Sequence, residues 1–258
     1  MAPLLHQLRL FFIALQFFTR VPIPGWVGFD AAWLQQSSRY FPLVGVVVGA
    51  VAGAVYWAAG LLWPAPVAAI VSTAATIYLT GAFHEDGFAD MCDGFGGGLT
   101  RARVMEIMKD SRIGTYGAVA LVLILALKCT LLASMAPAGA LAALLLAHPL
   151  SRLAAAALIR HLEYARDEGK AKPLAQHMSG AEFAIGAVCV ALPALLIGAT
   201  GALTWATIGA ALFASVTAAL WLGAKCQRRI GGYTGDCLGA VQQVSEVAIY
   251  LCVLAAWR

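Results

Sequence analysis

Long apolar runs, separated by short polar connections, follow one another along the whole chain. A window of about 20 residues, the length of helix that crosses a bilayer, selects seven apolar segments, at 40–63, 65–84, 114–135, 138–159, 181–200, 203–224 and 237–257. Residues 4–19 are also apolar but contain His6, Arg9 and Gln16, which favours an amphipathic helix in the membrane interface over an eighth span. The pattern predicts an all-α, polytopic integral membrane protein with about seven transmembrane helices.

The composition agrees with this interpretation. Of the 258 residues, 61% are hydrophobic and 12% are charged, against roughly 25% charged in a soluble domain. So few charged side chains could not cover a water-facing surface. The net charge of +4 is too small and too dispersed to indicate nucleic-acid binding. With no soluble domain, linker or repeat in evidence, we expect residues 1–258 to form a single membrane-embedded domain.

The basic residues indicate how the chain is oriented in the membrane. Most of them lie in four connections, at 20–39, 85–113, 160–180 and 225–235, whereas the turns near 64, 136 and 201 contain no Lys or Arg. By the positive-inside rule the basic connections face the cytoplasm. Seven spans satisfy this arrangement if Arg258 lies on the outer side. We therefore expect a multi-pass protein of the inner (cytoplasmic) membrane.

Acidic residues crowd into one stretch of the chain. Six of the thirteen fall between 85 and 110, namely Glu85, Asp86, Asp90, Asp93, Glu106 and Asp110. If the helix of segment 65–84 continues, Asp86, Asp90 and Asp93 stand at i, i+4 and i+7, on one face. Carboxylate oxygens suit Mg²⁺ or Mn²⁺, whereas zinc would favour His or Cys. The pattern favours a metal site with these three ligands, Glu85 ranking below them, over a solvated acidic turn.

A basic amphipathic stretch follows the acidic one. Residues 101–112 alternate apolar and charged positions with helical spacing, which predicts a cytoplasmic helix lying on the membrane surface. Lys109 and Arg112 would there meet phosphate oxygens, Arg through two parallel hydrogen bonds and Lys as a point charge. The alternatives are ordinary positive-inside charges, or pairing of one of them with Asp110.

Further polar residues occur within the later apolar segments. Asp236 opens the last one and is either a fourth metal ligand or a helix N-cap. Arg152 lies well inside segment 138–159, where an unpaired charge is costly, so it should face a polar cavity, bind an anion or form an ion pair. Lys128, near the middle of its segment, either extends toward the interface or pairs internally.

Six stretches of the sequence together resemble one known family. They are FFTRVPIP at 17–24, RYFPLVG at 39–45, GAFHEDGFADMCDG at 81–94, MKDSRIGTYG at 108–117, YARDEG at 164–169 and GGYTGDCLGA at 231–240. In this order, and over nearly the full chain, they resemble the cobalamin 5'-phosphate synthases, also called adenosylcobinamide-GDP ribazoletransferases. The acidic stretch is also similar to that of the CDP-alcohol phosphotransferases.

The resemblance implies a Mg²⁺-dependent transferase in the last steps of vitamin B12 assembly. Its substrates would be adenosylcobinamide-GDP and α-ribazole or α-ribazole 5'-phosphate, and GMP would be released. Asp86, Asp90 and Asp93 match the family's acidic motif, and Asp236 matches its C-terminal glycine-aspartate motif. The active site would lie on the cytoplasmic side of the bilayer. The sequence leaves open whether the protein forms a homo-oligomer.

Proton removal from the acceptor hydroxyl needs a base within hydrogen-bond reach. Asp93 or another aspartate is the first candidate and His84 the second, since a lone histidine at a helix end is more often structural. Replacement of Asp86, Asp90 or Asp93 by Asn is expected to change charge alone. The other functions compatible with the residues are a CDP-alcohol-type phosphatidyltransferase, a prenyltransferase and a non-enzymatic cation transporter.

Overall fold

The computed structural model describes residues 2–165 and 177–256, with no side-chain description for residues 2 and 3. The helices are α1 Ala2–Phe18, α2 Ala31–Gln36, α3 Phe41–Gly60, α4 Ala65–Thr80, α5 Phe83–Gly97, α6 Arg101–Ile107, α7 Thr115–Ser134, α8 Pro137–His161, α9 Gly180–Ala199, α10 Trp205–Ile230 and α11 Gly235–Ala256. Short 3-10 turns occupy Gly25–Val27 and Ser37–Tyr40. Over the described residues the fold is all-α, as predicted, with one isolated bridge between Tyr164 and Tyr233.

The number of membrane-spanning helices agrees with the prediction. Six described helices are long and apolar enough to cross a bilayer, and a seventh span results if α4 and α5 count together. The N-terminal helix α1 is a shorter apolar helix. A helix forms within the predicted stretch 101–112, with Val104 buried and Arg103 exposed, and its position on the membrane surface stays a prediction. Arg258 and most of the basic connection and YARDEG motif around 166–176 lie outside the described residues.

The helix that was expected to run from segment 65–84 into the acidic stretch is broken. After Thr80 the chain adopts left-handed backbone at Gly81, with φ of 66°, and at Ala82, with φ of 58°. Gly tolerates this conformation, and Ala pays a steric cost for it. Consequently α5 leaves α4 at an angle of 89°. The i, i+4, i+7 spacing of the aspartates is nevertheless preserved, because all three lie within α5.

Two helices form the centre of the bundle. Most of α8 and α11 is buried by their neighbours, whereas α7 and α9 expose most of their surface. The helix α3 packs tightly on α8 through two glycines, since a Cβ on Gly45 or Gly49 would lie within 2.8 Å of the α8 backbone. Small residues let membrane helices approach this closely. The acidic helix α5 packs against the first half of α11 and against α7.

Candidate active site

The acidic helix α5 crosses α11 in direct backbone contact. A Cβ placed on Gly87 would lie 2.9 Å from Cα of Asp236, and one on Gly239 would lie 3.0 Å from the carbonyl oxygen of His84. The distance at Gly87 is too short for a side chain, and the one at Gly239 is tighter than nearly all Cβ contacts, so glycine at these positions permits the crossing. The first turns of α5 and the first turn of α11 are thereby held at the same level of the molecule.

This crossing brings the predicted aspartates of two helices to one end of the bundle. Asp86 is exposed, and Asp90 and Asp236 are half-buried. The hydroxyl of Thr234 donates to Oδ2 of Asp236 at 3.3 Å. Asp236 therefore stands at the start of α11 beside the helix that carries Asp86 and Asp90, although the sequence separates them by about 150 residues.

The donor set has the chemistry that a hard divalent cation requires. Within residues 2–165 and 177–256, no three His, Cys, Asp or Glu side chains already converge on one point. Mg²⁺ usually keeps several waters and takes one or two carboxylates together with substrate phosphates, so an all-protein cage is not needed. The aspartates fit such an ion, and their role as ligands stays a prediction.

Asp93 has contacts that the sequence did not reveal. Its Oδ2 accepts a hydrogen bond from the Gly114 amide at 2.7 Å and its Oδ1 accepts one from the Gly117 amide at 2.8 Å. The carboxylate thus binds the positive N-terminal end of α7. Asn at this position would present one acceptor oxygen and an amide donor, so this substitution would alter hydrogen bonding as well as charge.

The two residues that precede Asp86 point toward the protein interior. The buried ring of His84 stacks on Phe18, with ring centroids 5.4 Å apart and planes at 10°. Glu85 is buried and accepts a hydrogen bond from Nε2 of Gln243 at 2.9 Å. Glu85 therefore lies with the interior polar groups and apart from the aspartates, in keeping with its lower rank among the predicted ligands.

The basic residues after α6 are on the surface. Arg112 is exposed and donates from Nη2 to Oδ2 of Asp110 at 2.7 Å, so one of the pairings considered from the sequence is present. The Arg112 guanidinium lowers the pKa of Asp110 to about 2. Lys109 is exposed next to this pair. Binding of phosphate by Lys109 and Arg112 stays a prediction.

Arg152 is buried and borders a small cleft. Its Nη1 donates to the carbonyl oxygen of His148 at 3.0 Å, and its Nε has no hydrogen-bond partner among the described residues. The cleft of about 30 Å³ is lined mainly by apolar side chains and reaches Gly235, directly before Asp236. Arg152 therefore lies between the bundle interior and the start of α11, where the sequence suggested a cavity or an anion.

A cluster of buried polar side chains occupies the bundle interior. Nζ of Lys128 lies 2.9 Å from Oε1 of Glu246, which also accepts from the Tyr250 hydroxyl at 2.9 Å. Oε2 of Glu246 accepts from Gln242 at 2.6 Å, and Gln243 accepts from Lys128 at 3.2 Å. Lys128 is thus paired internally. Gln242, Glu246 and Tyr250 recur every four residues, so they share one face of α11.

Comparison with known proteins places the chain in a family. The cobalamin-5-phosphate synthase family matches residues 10–254, nearly the whole length. The chain belongs to this family. The cobalamin-5-phosphate synthases are transferases of cobalamin synthesis, so the resemblance stated from the sequence is confirmed.

Individual relatives of this synthase family agree with the assignment over their full lengths. The chain is 50% identical to a protein of Leptothrix cholodnii named adenosylcobinamide-GDP ribazoletransferase, with 99% of this chain and 98% of the relative covered. It is 48% identical to one of Ralstonia nicotianae, covering 100% and 98%, and 44% identical to one of Vibrio cholerae, covering 98% and 96%; both carry the same name. No solved structure matches this synthase chain.

Proposed function

We propose that this protein transfers the adenosylcobinamide phosphoryl group from adenosylcobinamide-GDP to α-ribazole or α-ribazole 5'-phosphate. GMP leaves, and adenosylcobalamin or its 5'-phosphate forms. The observation that carries the proposal is the glycine-mediated crossing of α5 and α11, which sets Asp86 and Asp90 beside Asp236 in a chain whose relatives bear the name of this reaction.

Asp86, Asp90, Asp93 and Asp236 are the proposed ligands of Mg²⁺ or Mn²⁺. Bound there, the ion would neutralise charge on the diphosphate and on the departing GMP. Asp86 is exposed and Asp90 and Asp236 are half-buried, so ligand oxygens and water have access. Asp93 uses one direction of each oxygen for the amides of Gly114 and Gly117, and a carboxylate oxygen has a further lone pair.

The cationic side chains would hold the anionic parts of the substrate. Lys109 and Arg112 are exposed after α6, on the connection that leads from α5 to α7, and their charges suit phosphate oxygens. Arg112 would then exchange Asp110 for phosphate. The unpartnered Nε of buried Arg152 borders the cleft beside Gly235 and offers a donor to a group that enters there.

The chemical step is a displacement at the phosphorus next to cobinamide. The acceptor hydroxyl oxygen forms a bond to this phosphorus, while the bond to the oxygen bridging to GMP breaks and its electron pair leaves with GMP. The hydroxyl proton goes to a side-chain base. We assign this role first to Asp93, whose carboxylate is oriented by the start of α7, and second to His84.

The proposed site faces the cytoplasm at the inner membrane. In support, Arg101, Arg103, Lys109 and Arg112 lie on the connection between α5 and α7, and Arg228 and Arg229 lie at the end of α10, next to the start of α11. The turns at the opposite helix ends lack Lys and Arg. Such an asymmetry is typical of cytoplasmic loops.

The test is a product assay with the purified protein in detergent or nanodiscs. With adenosylcobinamide-GDP, Mg²⁺ and α-ribazole or its 5'-phosphate, we expect GMP release and a cobamide product identified by mass, both abolished by EDTA and restored by added Mg²⁺. A parallel reaction with CDP-diacylglycerol and glycerol phosphate should give no product. Absence of GMP with both acceptors would contradict the proposed transfer, and EDTA-insensitive turnover would contradict the metal requirement.

A further inference from the structure

A second, larger cavity lies against α5. It is a groove of about 540 Å³, within the range of roughly 300–1,000 Å³ that is common for ligand pockets. Four helices form its walls. Its lining includes Phe88, Met91 and Phe95 of α5, Tyr116 of α7, and Trp221 and Lys225 of α10. Helix α11 forms the remaining wall.

The groove is separate from the proposed active site. Successive helical residues are about 100° apart around the axis, so Phe88, Met91 and Phe95 share one face of α5, and Asp86 and Asp90 share a face roughly opposite. An occupant of the groove would therefore contact the acidic helix from behind, without touching the exposed carboxylates.

The walls of the groove continue into surfaces that face lipid. On α7, Val119 and Val122 are exposed, and on α10 Phe213 and Leu220 are exposed. Exposed apolar side chains on membrane-spanning helices contact acyl chains. Because both helices border the groove, lipid chains have direct access to its apolar lining.

The mouth of the groove combines aromatic rings with positive charge. The ammonium of Lys225 lies 5.4 Å from the ring centre of Trp221 and 5.8 Å from that of Phe95, and the Arg229 guanidinium lies 5.3 Å from Phe95. Within the described part of the chain, the ion pairs involve other cations and Lys225 has no carboxylate partner. Trp and Tyr are typical of the membrane interface, where lipid phosphates lie.

We propose that this groove binds one phospholipid with an anionic headgroup. Its acyl chain packs on Phe88, Met91 and Phe95, and its phosphate meets the ammonium of Lys225. The apolar lining, the access from the bilayer and the unpaired cation at the mouth together specify this occupant. The lipid packs against the face of α5 that is opposite Asp86 and Asp90. This contact gives a physical reason for membrane residence that is independent of the proposed reaction.

The test measures lipid binding by the intact protein. The delipidated protein is titrated with phosphatidylglycerol and, separately, with phosphatidylcholine of the same chains, and bound lipid is counted by native mass spectrometry. We expect one tight site with about fivefold to tenfold preference for phosphatidylglycerol, the size of effect that one lysine near an anionic surface provides. Equal affinity for the two lipids, or no retained lipid, would overturn the proposal.

Variants assign the effect to the groove. Lys225→Gln should remove the headgroup preference while lipid still binds, and Ala120→Phe, which fills the groove lining, should weaken both lipids about tenfold. Arg228→Gln is the matched control, because Arg228 is an exposed cation one turn away that does not line the groove. Equal losses in Lys225→Gln and Arg228→Gln would mean general surface attraction and would overturn the site. Gel filtration and thermal unfolding check that each variant is folded. If Ala120→Phe does not fold, the comparison of Lys225→Gln with Arg228→Gln still decides the proposal.

Discussion

Two carboxylate-bearing regions of this protein differ in almost every physical respect. At the crossing of α5 and α11, Asp86 is exposed and Asp90 and Asp236 are half-buried. Deeper in the bundle, Glu246 is 1% exposed and its two oxygens are engaged by Lys128, Tyr250 and Gln242. The first region has carboxylates that solvent reaches, and the second has a carboxylate whose partners are all supplied by the protein.

The difference supports separate roles for the two regions: the proposed metal site at the crossing, and a link between helices in the interior. A charge in the bilayer interior is costly without partners, and the protein supplies them for Glu246. Lys128 of α7 and Glu246 of α11 thus connect two helices. At the crossing, by contrast, Asp86 is exposed and Asp90 and Asp236 are half-buried, so solvent reaches the proposed ligands.

The largest expected effect comes from the exposed region. Asp86→Asn should lower kcat by about a thousandfold, because loss of a metal ligand weakens the stabilisation of transition-state charge by several kcal/mol. Its thermal unfolding should match the wild type, since Asp86 is exposed. GMP release against Mg²⁺ concentration measures the effect, and the matched control is Glu106→Gln, an exposed acid on α6 that should retain full activity. Wild-type turnover by Asp86→Asn would remove Asp86 from the metal site.

The next effect concerns the interior region. Glu246→Ala leaves Lys128 buried without its partner at 2.9 Å, which should destabilise the protein by about 3 kcal/mol. Thermal unfolding in detergent measures the loss. The double variant Lys128→Met with Glu246→Leu should recover most of it, because both charges are then absent. Glu106→Ala breaks the exposed pair with Arg103 and should change stability by less than about 0.5 kcal/mol. Equal losses in Glu246→Ala and Glu106→Ala would contradict the comparison.

A third test targets the crossing that creates the exposed region. Gly87→Ala places a methyl group 2.9 Å from Cα of Asp236 and should push α5 away from α11. We expect about tenfold lower activity, since small displacements of reacting groups are costly, with about 1–2 kcal/mol of lost stability. Gly97→Ala on the same helix meets only the end of Ile107 at 3.4 Å and serves as the control. If the two variants behave alike, the close crossing does not position the site.

The smallest effect concerns the exposed ion pair of Asp110 and Arg112, which lies outside both regions. The pKa of Asp110 is lowered from 3.8 to about 2 by Arg112, so the pair favours the folded state above about pH 4 and loses its effect as the pH falls toward 2. In Arg112→Gln the pKa of Asp110, followed by the ¹³C shift of its carboxyl carbon, should return toward 3.8. Thermal unfolding at pH 7 should barely change, because the pair is exposed. If the pKa of Asp110 is the same in Arg112→Gln as in the wild type, the ion pair is absent in solution.

Much of the fold follows from the apolar pattern. The approximate number and position of the spans follow from segment length, because a helix must satisfy its backbone within the bilayer. The break between α4 and α5 does not follow, since it depends on left-handed backbone at Ala82 as well as at Gly81. Sequence patterns rarely indicate positive φ at an alanine.

The candidate site was predictable in part. The acidic stretch and the glycine-aspartate stretch are visible as motifs, and the structure brings their helices into contact. The binding of Asp93 to the start of α7 was missed, because it joins residues 21 and 24 positions apart through backbone amides, which have no sequence signature. Internal pairing of Lys128 was one of two alternatives, but its partner did not follow from the sequence, since Lys128, Glu85 and Glu246 come from three separate helices.

By itself the sequence determined the all-α membrane class, the approximate number of spans, the family and the acidic stretch, because burial in lipid constrains local residue types and the family's motifs are local. Only the tertiary structure decided which polar groups meet. It turned Glu85 inward, paired Lys128 with Glu246, set Gly87 against Asp236 and left a groove beside Lys225. These outcomes depend on helix crossings between distant segments, and the distance of closest approach is set by packing that no local pattern encodes.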